Sequence, residues 1–307
     1  MSLRRLLPIL LAALVVGGCF HARKPLPPPP LAPPPAPIKI GLALGGGAAK
    51  GFAHIGVIKM LEASGIHVDV VAGTSAGSVV GALYASGMGP FQLQQQAFAL
   101  DEAKIRDVRL FSGGLVQGRK LQDYVNELVR QRPIERLQLP FAAVATELES
   151  GKRAVFVRGN TGQAVRASSS IPGVFEPTVI DGRHYVDGGV VSPIPVDAAR
   201  QLGADFVIAV DISPQASGSN PQGLVNIVGQ TLSIMGRQLA AQEAARADVV
   251  IRPHIVGIGP TDFSQKNQAI LEGEKATLAA MPQIRKRLAA LQAARAATPT
   301  RPGASIP

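Results

Sequence analysis

The stretch VVAGTSAGSVVGAL, Val70 to Leu83, decides the reading of this chain. An apolar run stops at a serine held between two glycines, and a run of small residues begins. A strand that turns at once into a helix must bend sharply. The residue at the bend takes a strained backbone, and its side chain is pushed out over the sheet. Gly73 and Gly77, two before and two after Ser75, let neighbouring chain approach without a Cβ clash. The helix that follows aims its first N–H groups at the same place, which favours negative charge there. In a chain with 33 glycines the pentapeptide GTSAG says little by itself; its setting between strand and helix makes Ser75 a candidate nucleophile.

Working outward, Ile38–Leu44 (IKIGLAL) is a short apolar run ending in glycines and reads as a buried strand. Gly51–Ser64 has apolar residues at helical spacing, Val68–Ala72 is a second strand, and Gly77–Ser86 a second helix. Lys120–Val129 repeats the helical period. FAAVATEL and KRAVFVRG flank Ser150-Gly151 as a hairpin, and TVI and RHYV flank Asp181-Gly182, a favoured two-residue hairpin turn. Asp205–Asp211 is another buried strand and Leu224–Ala245 a long helix. Strands alternating with helices imply an α/β three-layer sandwich with a mainly parallel central sheet, whose sites collect at the carboxyl ends of strands. Both glycine clusters, GGG and GTSAG, fall at such ends.

A serine that attacks an ester needs donors for the tetrahedral oxyanion. GGGAAKG, Gly45–Gly51, follows the first strand and offers N–H groups with no side chains in the way. Two rival readings of this loop fail on the letters. A dinucleotide fingerprint starting at Gly45 needs glycine where Lys50 stands, and a P-loop needs Gly-Lys-Ser/Thr where the order is Ala49-Lys50-Gly51. Lys50 itself sits near a helix start, against the dipole, facing either an anionic group or solvent.

The proton acceptor is harder to find. The histidines are His21, His54, His67, His184 and His254. In the Ser–acid–His order of α/β-hydrolases only His254 would serve, yet there the nucleophile comes after several strands, and here it follows the second. His54 and His184 read as core or turn residues. Among carboxylates, Asp181 is explained by its turn, and Asp205 and Asp211 by the strand they cap. Asp187 follows RHYV and opens into Gly188-Gly189 and then VVSPIP, which does not pair as a regular strand. Two glycines after an acid let it approach another loop closely, so Asp187 is the candidate base. A free aspartate has a pKa near ~3.9, so it is expected to be charged at neutral pH without tuning.

GGGAAKG, GTSAG and DGG, in that order, resemble the motif set of the patatin-like phospholipases, and ASSSIP (Ala167–Pro172) is similar to that family's block between nucleophile and acid. The resemblance spans roughly Ile38 to Ser213. It implies a patatin-like fold and a Ser–Asp dyad without histidine. Ser75 would be the nucleophile, Asp187 the base, and Gly45, Gly46 and Gly47 would surround the oxyanion hole. It also implies calcium-independent hydrolysis of lipid acyl esters, with a phospholipid or lysophospholipid as substrate and no cofactor or metal. A transacylase on the same site, and a lipid-binding protein without turnover, are the alternatives. The segment from Gly87 to Gly118, with Phe91, Phe98, Leu110 and Phe111, is either part of a mobile acyl pocket or plain helix packing.

The ends carry a different message. MSLRRLLPILLAALVVGGC has two arginines, an apolar core from Leu6 to Val16 and small residues before Cys19. That core is shorter than the roughly 20 apolar residues of a membrane span and has the layout of a signal peptide. Val16-Gly17-Gly18-Cys19 resembles a bacterial lipoprotein signal, with Cys19 the acylated residue; the rival is an ordinary secreted protein with a chance cysteine. Cys19 is the chain's one cysteine, so no intramolecular disulfide can form. Phe20 next to it, rather than an aspartate, favours the outer membrane by analogy with lipoprotein sorting. PLPPPPLAPPPAP, Pro25 to Pro37, takes up polyproline II, a semi-rigid spacer of roughly 40 Å or a linker with no demand on length. The expected plan is a signal peptide over 1–18, an acylated tether over 19–37, a catalytic domain over 38–257, and a polar Ala-rich helix with a disordered tail over 258–307. This describes an enzyme of the cell envelope, tied to a membrane by its N-terminal lipid. The formal charge of +10 suits an anionic bilayer or phosphorylated head groups. With 4% aromatics and no tryptophan there is little to stack on bases, so nucleic acid is not an expected partner.

Overall fold

The computed structural model describes residues 36–101, 107, 116–213, 222–259 and 261–297. The expected signal peptide, Cys19, most of the proline-rich segment expected to act as a tether, the Leu110–Phe111 part of the expected acyl pocket and the expected C-terminal tail lie outside the described residues.

Among the described residues one mixed sheet forms the centre. Its strands are β1 (Ile40–Leu44), β2 (Val70–Thr74), β3 (Phe141–Glu147), β4 (Arg153–Phe156), β5 (Thr178–Ile180), β6 (Arg183–Asp187), β7 (Phe206–Val210) and β8 (Val249–Ile251). The order is β5-β6-β3-β2-β1-β7-β8, with β4 also on β3. The run β3-β2-β1-β7-β8 is parallel throughout, and β4, β5 and β6 add antiparallel pairs. The expected mainly parallel sheet is therefore what forms. Strands β2 and β7 are buried at every position, as near-continuous apolar runs between two helical layers must be.

Alternation along each strand divides the core in two. Leu42, Leu44, Val71, Phe141, Phe206 and Ile208 enter the larger core. It is closed by α1 (Ala53–Ala63), α2 (Ala76–Ala85), α3 (Pro90–Ala99), α4 (Arg119–Leu128), α5 (Thr161–Ser168) and α8 (Lys266–Ala297). Ala43, Val70, Ala72, Val144, Val207 and Ala209 face the other way, against α6 (Val196–Gln201) and α7 (Leu224–Ala244). Each fully buried Leu, Ile or Phe adds roughly 1.5–3 kcal/mol of transfer free energy, so the first face carries most of the stability.

The boundary expected after residue 257 is not a break in this body. Helix α8 packs on α1 and buries Ile270, Thr277, Met281 and Ile284. The crossing is close because both helices present glycine. A Cβ on Gly56 would stand 2.0 Å from the Ile270 carbonyl oxygen, and one on Gly273 2.1 Å from that of Ala53. Lys59 and Glu274 pair across the same seam at 2.8 Å. A polar, Ala-rich composition hid this packing, because close helix approach buries backbone and small residues rather than large apolar ones.

Candidate active site

Strand β3 brings the site together. Ala143 and Val144 pair with β2 on one edge and with β4 on the other, while Ala145 and Thr146 pair with β4 and with β6. Strands β2 and β6 therefore share one edge of β3 and approach each other end to end. The last residue of β2, Thr74, stands opposite Val144, and the last of β6, Asp187, opposite Ala145. Ser75 follows Thr74, so the serine and the acid, far apart in sequence, end on neighbouring residues of one strand. The chain can turn away at that point because Gly188 has no side chain; a Cβ there would be 2.1 Å from the Val144 carbonyl oxygen and 3.1 Å from Thr74 Cγ2.

Ser75 has φ 54° and ψ −123°, the strained geometry expected of a strand-to-helix bend, and is the N-cap of α2. The flanking glycines do what their spacing implies: a Cβ on Gly77 would lie 2.1 Å from Leu44 O, and one on Gly73 2.3 Å from Gly77 O. The Ser75 N–H donates to the Ser168 hydroxyl at 2.9 Å, and Ser168 donates to Val144 O at 2.6 Å. Two residues on, Ser170 O accepts the Asp187 N–H at 2.9 Å. The block Ala167–Ser170 thus holds the backbone of both the serine and the acid. Thr146 Oγ1 donates to Asp187 O at 2.9 Å from the other side.

Asp187 is 7% exposed and Ser75 6%. Asp187 Oδ1 accepts the Gly189 N–H at 2.7 Å. Its Oδ2 is buried and makes no hydrogen bond among the described residues, while the nearby Ser75 hydroxyl favours the charged carboxyl. Burial outweighs both donors and pushes the carboxyl up to about 6. This departs from the sequence expectation of an untuned aspartate: desolvation of a carboxylate cannot be read from its neighbours in the chain.

The three glycines of the loop differ from one another. Gly45 N–H donates to Val210 O at 3.1 Å and Gly46 N–H to Pro193 O at 3.0 Å. Gly46 borders the serine, a Cβ there falling 3.3 Å from Ser75 Cβ. Gly47 N–H meets no acceptor among the described residues. Ala48, the next residue, has φ 52°, a left-handed geometry that turns the loop sharply into the following helix. His54 is buried and donates from Nε2 to Gly45 O at 2.8 Å, so it fixes the loop rather than the serine. Burial lowers its pKa to about 4, against the opposing pull of the Gly45 carbonyl, and keeps the ring neutral. His184 pairs with Glu149 at 2.6 Å on the surface, and His254 is exposed. Lys50 is half-buried, and desolvation lowers its pKa.

One residue escaped the sequence reading altogether. Glu243, in the last turn of α7, is 4% exposed, accepts from Ser192 Oγ at 2.6 Å and accepts the Ile194 N–H at 2.8 Å. Burial raises its pKa. The loop it grips is shared by every part of the site: Ser192 O accepts from Thr74 Oγ1 at 2.8 Å, Pro193 O from Gly46, and Ser192 N–H donates to Gly188 O at 2.8 Å. An acid at a helix C-terminus opposes the dipole, and that misfit was the available signal.

A strained serine at the carboxyl end of a parallel strand, a buried acid from an adjoining strand and a glycine loop beside the serine define a class of α/β protein. VipD from Legionella pneumophila shares the fold, with a TM-score of 0.51 at 15% identity over 83% of this chain and 68% of that chain. The sequence profile of the patatin-like phospholipases matches residues 42–200, more than half of the chain, and the chain belongs to that family. It is 36% identical over 206 residues to an uncharacterised NTE family protein of Mycobacterium tuberculosis, covering 66% of this chain and 57% of that protein. It is 31% identical over 278 residues to lysophospholipase NTE1 of Pyricularia oryzae, covering 80% of this chain and 18% of the relative. With patatin-like phospholipase domain-containing protein 6 of Homo sapiens it shares 35% over 184 residues, 57% of this chain and 13% of that protein. The chain thus spans little more than half the length of the mycobacterial relative and a small part of the others.

Proposed function

We propose that this chain is a lipid acyl-ester hydrolase of the phospholipase A or lysophospholipase type. Ser75 Oγ forms a bond to the acyl carbonyl carbon while its proton passes to Asp187. The oxyanion is held by Gly47 N–H and the open N–H groups at the start of α2, with Gly45 and Gly46 shaping the loop. The leaving alcohol takes the proton from Asp187 as its bond to carbon breaks. Water then attacks the acyl-enzyme, gives its proton to Asp187, and releases the fatty acid as Ser75 recovers its hydrogen. The observation that supports this best is the end-to-end meeting of β2 and β6, which brings Asp187 and the residue before Ser75 opposite neighbouring residues of β3, with the neutral His54 turned to Gly45. A base titrating near 6 is better matched to neutral pH than a free aspartate.

Family membership supports the same chemistry, and the printed name of the Pyricularia oryzae relative, a lysophospholipase, supports the substrate class. The test is labelling by a fluorophosphonate together with release of fatty acid from lysophosphatidylcholine. Wild type should do both, Ser75→Ala neither, and an unlabelled wild-type Ser75 would overturn the assignment. We further propose that Cys19 is acylated and the Pro25–Pro37 segment tethers the domain to the cell envelope, on the outer membrane. Incorporation of labelled palmitate, lost in Cys19→Ala, tests this.

A further inference from the structure

The outer face of helix α7 has the wrong chemistry for a surface that stays in water. Its C-terminal third is anchored: Ala240, Glu243 and Ala244 are buried against the sheet. From Ile227 to Leu239 no residue is buried, and Ile227, Ile234 and Met235 are 49%, 56% and 60% exposed. Ile227 and Ile234 are two turns apart on one face, and Met235 adjoins them. Surface helices ordinarily turn charged residues outward. Here the chain holds no acid between Asp211 and Glu243, and one base, Arg237, which is exposed on the same helix. Large apolar side chains together, with a cation and no anion, form a surface suited to the interface of an anionic bilayer. No helix among the described residues is long and apolar enough to cross a membrane, so this one would lie along it.

Its position adds the functional link. The helix packs on the turn Gly188–Val190, and Gly236, the neighbour of Met235, has the Gly189 carbonyl oxygen as its nearest contact, 3.8 Å from an added Cβ. The Gly189 N–H is the group that holds Asp187 Oδ1. Ile234 and Met235 therefore lie within one helical turn of the residue that meets the acid's own loop, with Ile227 about two turns further along the helix. Resting on the reading of the site as a lipid hydrolase, we infer that Ile227, Ile234 and Met235 insert into the bilayer that contains the substrate, seating the Ser75–Asp187 site at the lipid surface independently of the N-terminal tether.

The chain contains no tryptophan, so one introduced residue reports alone. Ile234→Trp and Met235→Trp in the full chain should shift to shorter wavelength and be quenched by spin-labelled lipid when phosphatidylcholine–phosphatidylglycerol vesicles are added. Leu278→Trp, 52% exposed on α8 across the opposite sheet face, should not respond. Unchanged emission at both α7 positions overturns the inference. So does emission already blue without vesicles, which would mean coverage by another part of the chain if independent of dilution, or by a second copy if lost on dilution. Hydrolysis of p-nitrophenyl butyrate, a substrate without a bilayer, keeps the two readings apart. Insertion without hydrolysis removes the enzymatic reading and leaves the docking face, and hydrolysis without insertion does the reverse.

Discussion

The Ser75 N–H and the Ser168 hydroxyl are 2.9 Å apart, and Ser168 in turn donates to Val144, the residue opposite Thr74 in the sheet. The strained bend at Ser75 is therefore pinned to the strand beside it by a fully buried residue. Ser168→Ala leaves a buried N–H without an acceptor, a cost of about 1–3 kcal/mol. Turnover of p-nitrophenyl butyrate should fall roughly tenfold or more through kcat, since misplacement of a reacting atom is felt in the chemical step. Ser168→Thr, which keeps the hydroxyl, should recover much of the loss.

Asp187 sets the pH dependence. Its carboxyl, raised to about 6 by burial, must be ionised to accept the serine proton, so kcat/KM should fall as pH drops through about 6. Asp187→Asn should abolish nearly all turnover, while His184→Ala and His254→Ala keep most of it. A loss confined to His254→Ala would point to a conventional triad instead.

The same shift has a consequence for stability. A folded pKa above the ordinary 3.8 contributes stability that is complete below the unfolded value and is lost as pH rises through about 6. Above that point the ionised carboxyl costs ~3 kcal/mol, the equivalent of a rise from 3.8 to about 6. Asp187→Asn, which retains an acceptor for Gly189, should therefore raise the melting temperature in mildly alkaline buffer and change it little in acid below the carboxylate range.

Glu243 should behave as a positioning residue. Glu243→Ala strips acceptors from Ser192 and Ile194 and should destabilise by about 1–3 kcal/mol for each buried donor left unpaired. Glu243→Gln keeps one acceptor and should stay folded with a reduced kcat and a nearly unchanged KM, measured on p-nitrophenyl butyrate. Equal kinetics in the two wild-type and Gln proteins would remove the link between α7 and the site.

The α1–α8 seam makes a purely structural forecast. Gly273→Ala places a methyl 2.1 Å from the Ala53 carbonyl oxygen and should destabilise by about 1–3 kcal/mol or more, read by urea denaturation.

Much of this site was legible in the chain, for definite reasons. Ser75 stood out because glycines on either side of a strand–helix junction have few other uses, and Asp187 because the alternatives each had a local job. The Asp181-Gly182 turn was readable because two residues with φ of 48° and 77° demand that chemistry. What stayed hidden depends on contacts across the fold. Ser168 was visible as part of a resembling block without its task, His54 as a core residue without its bond to Gly45, and Glu243 not at all. The raised carboxyl of Asp187 belongs to the same group, since it arises from the whole surrounding layer.

The turn at Asp181-Gly182 governs more than a hairpin. It sets Ile180 opposite Arg183, and from there β6 counts down to Asp187 opposite Ala145. Slippage by one residue would swing the acid to the far side of the sheet, and by two would carry it roughly 7 Å along the strand. A chain could thus keep every signature residue and still be inert, silenced by a slip of β6 along β3 that alters none of them.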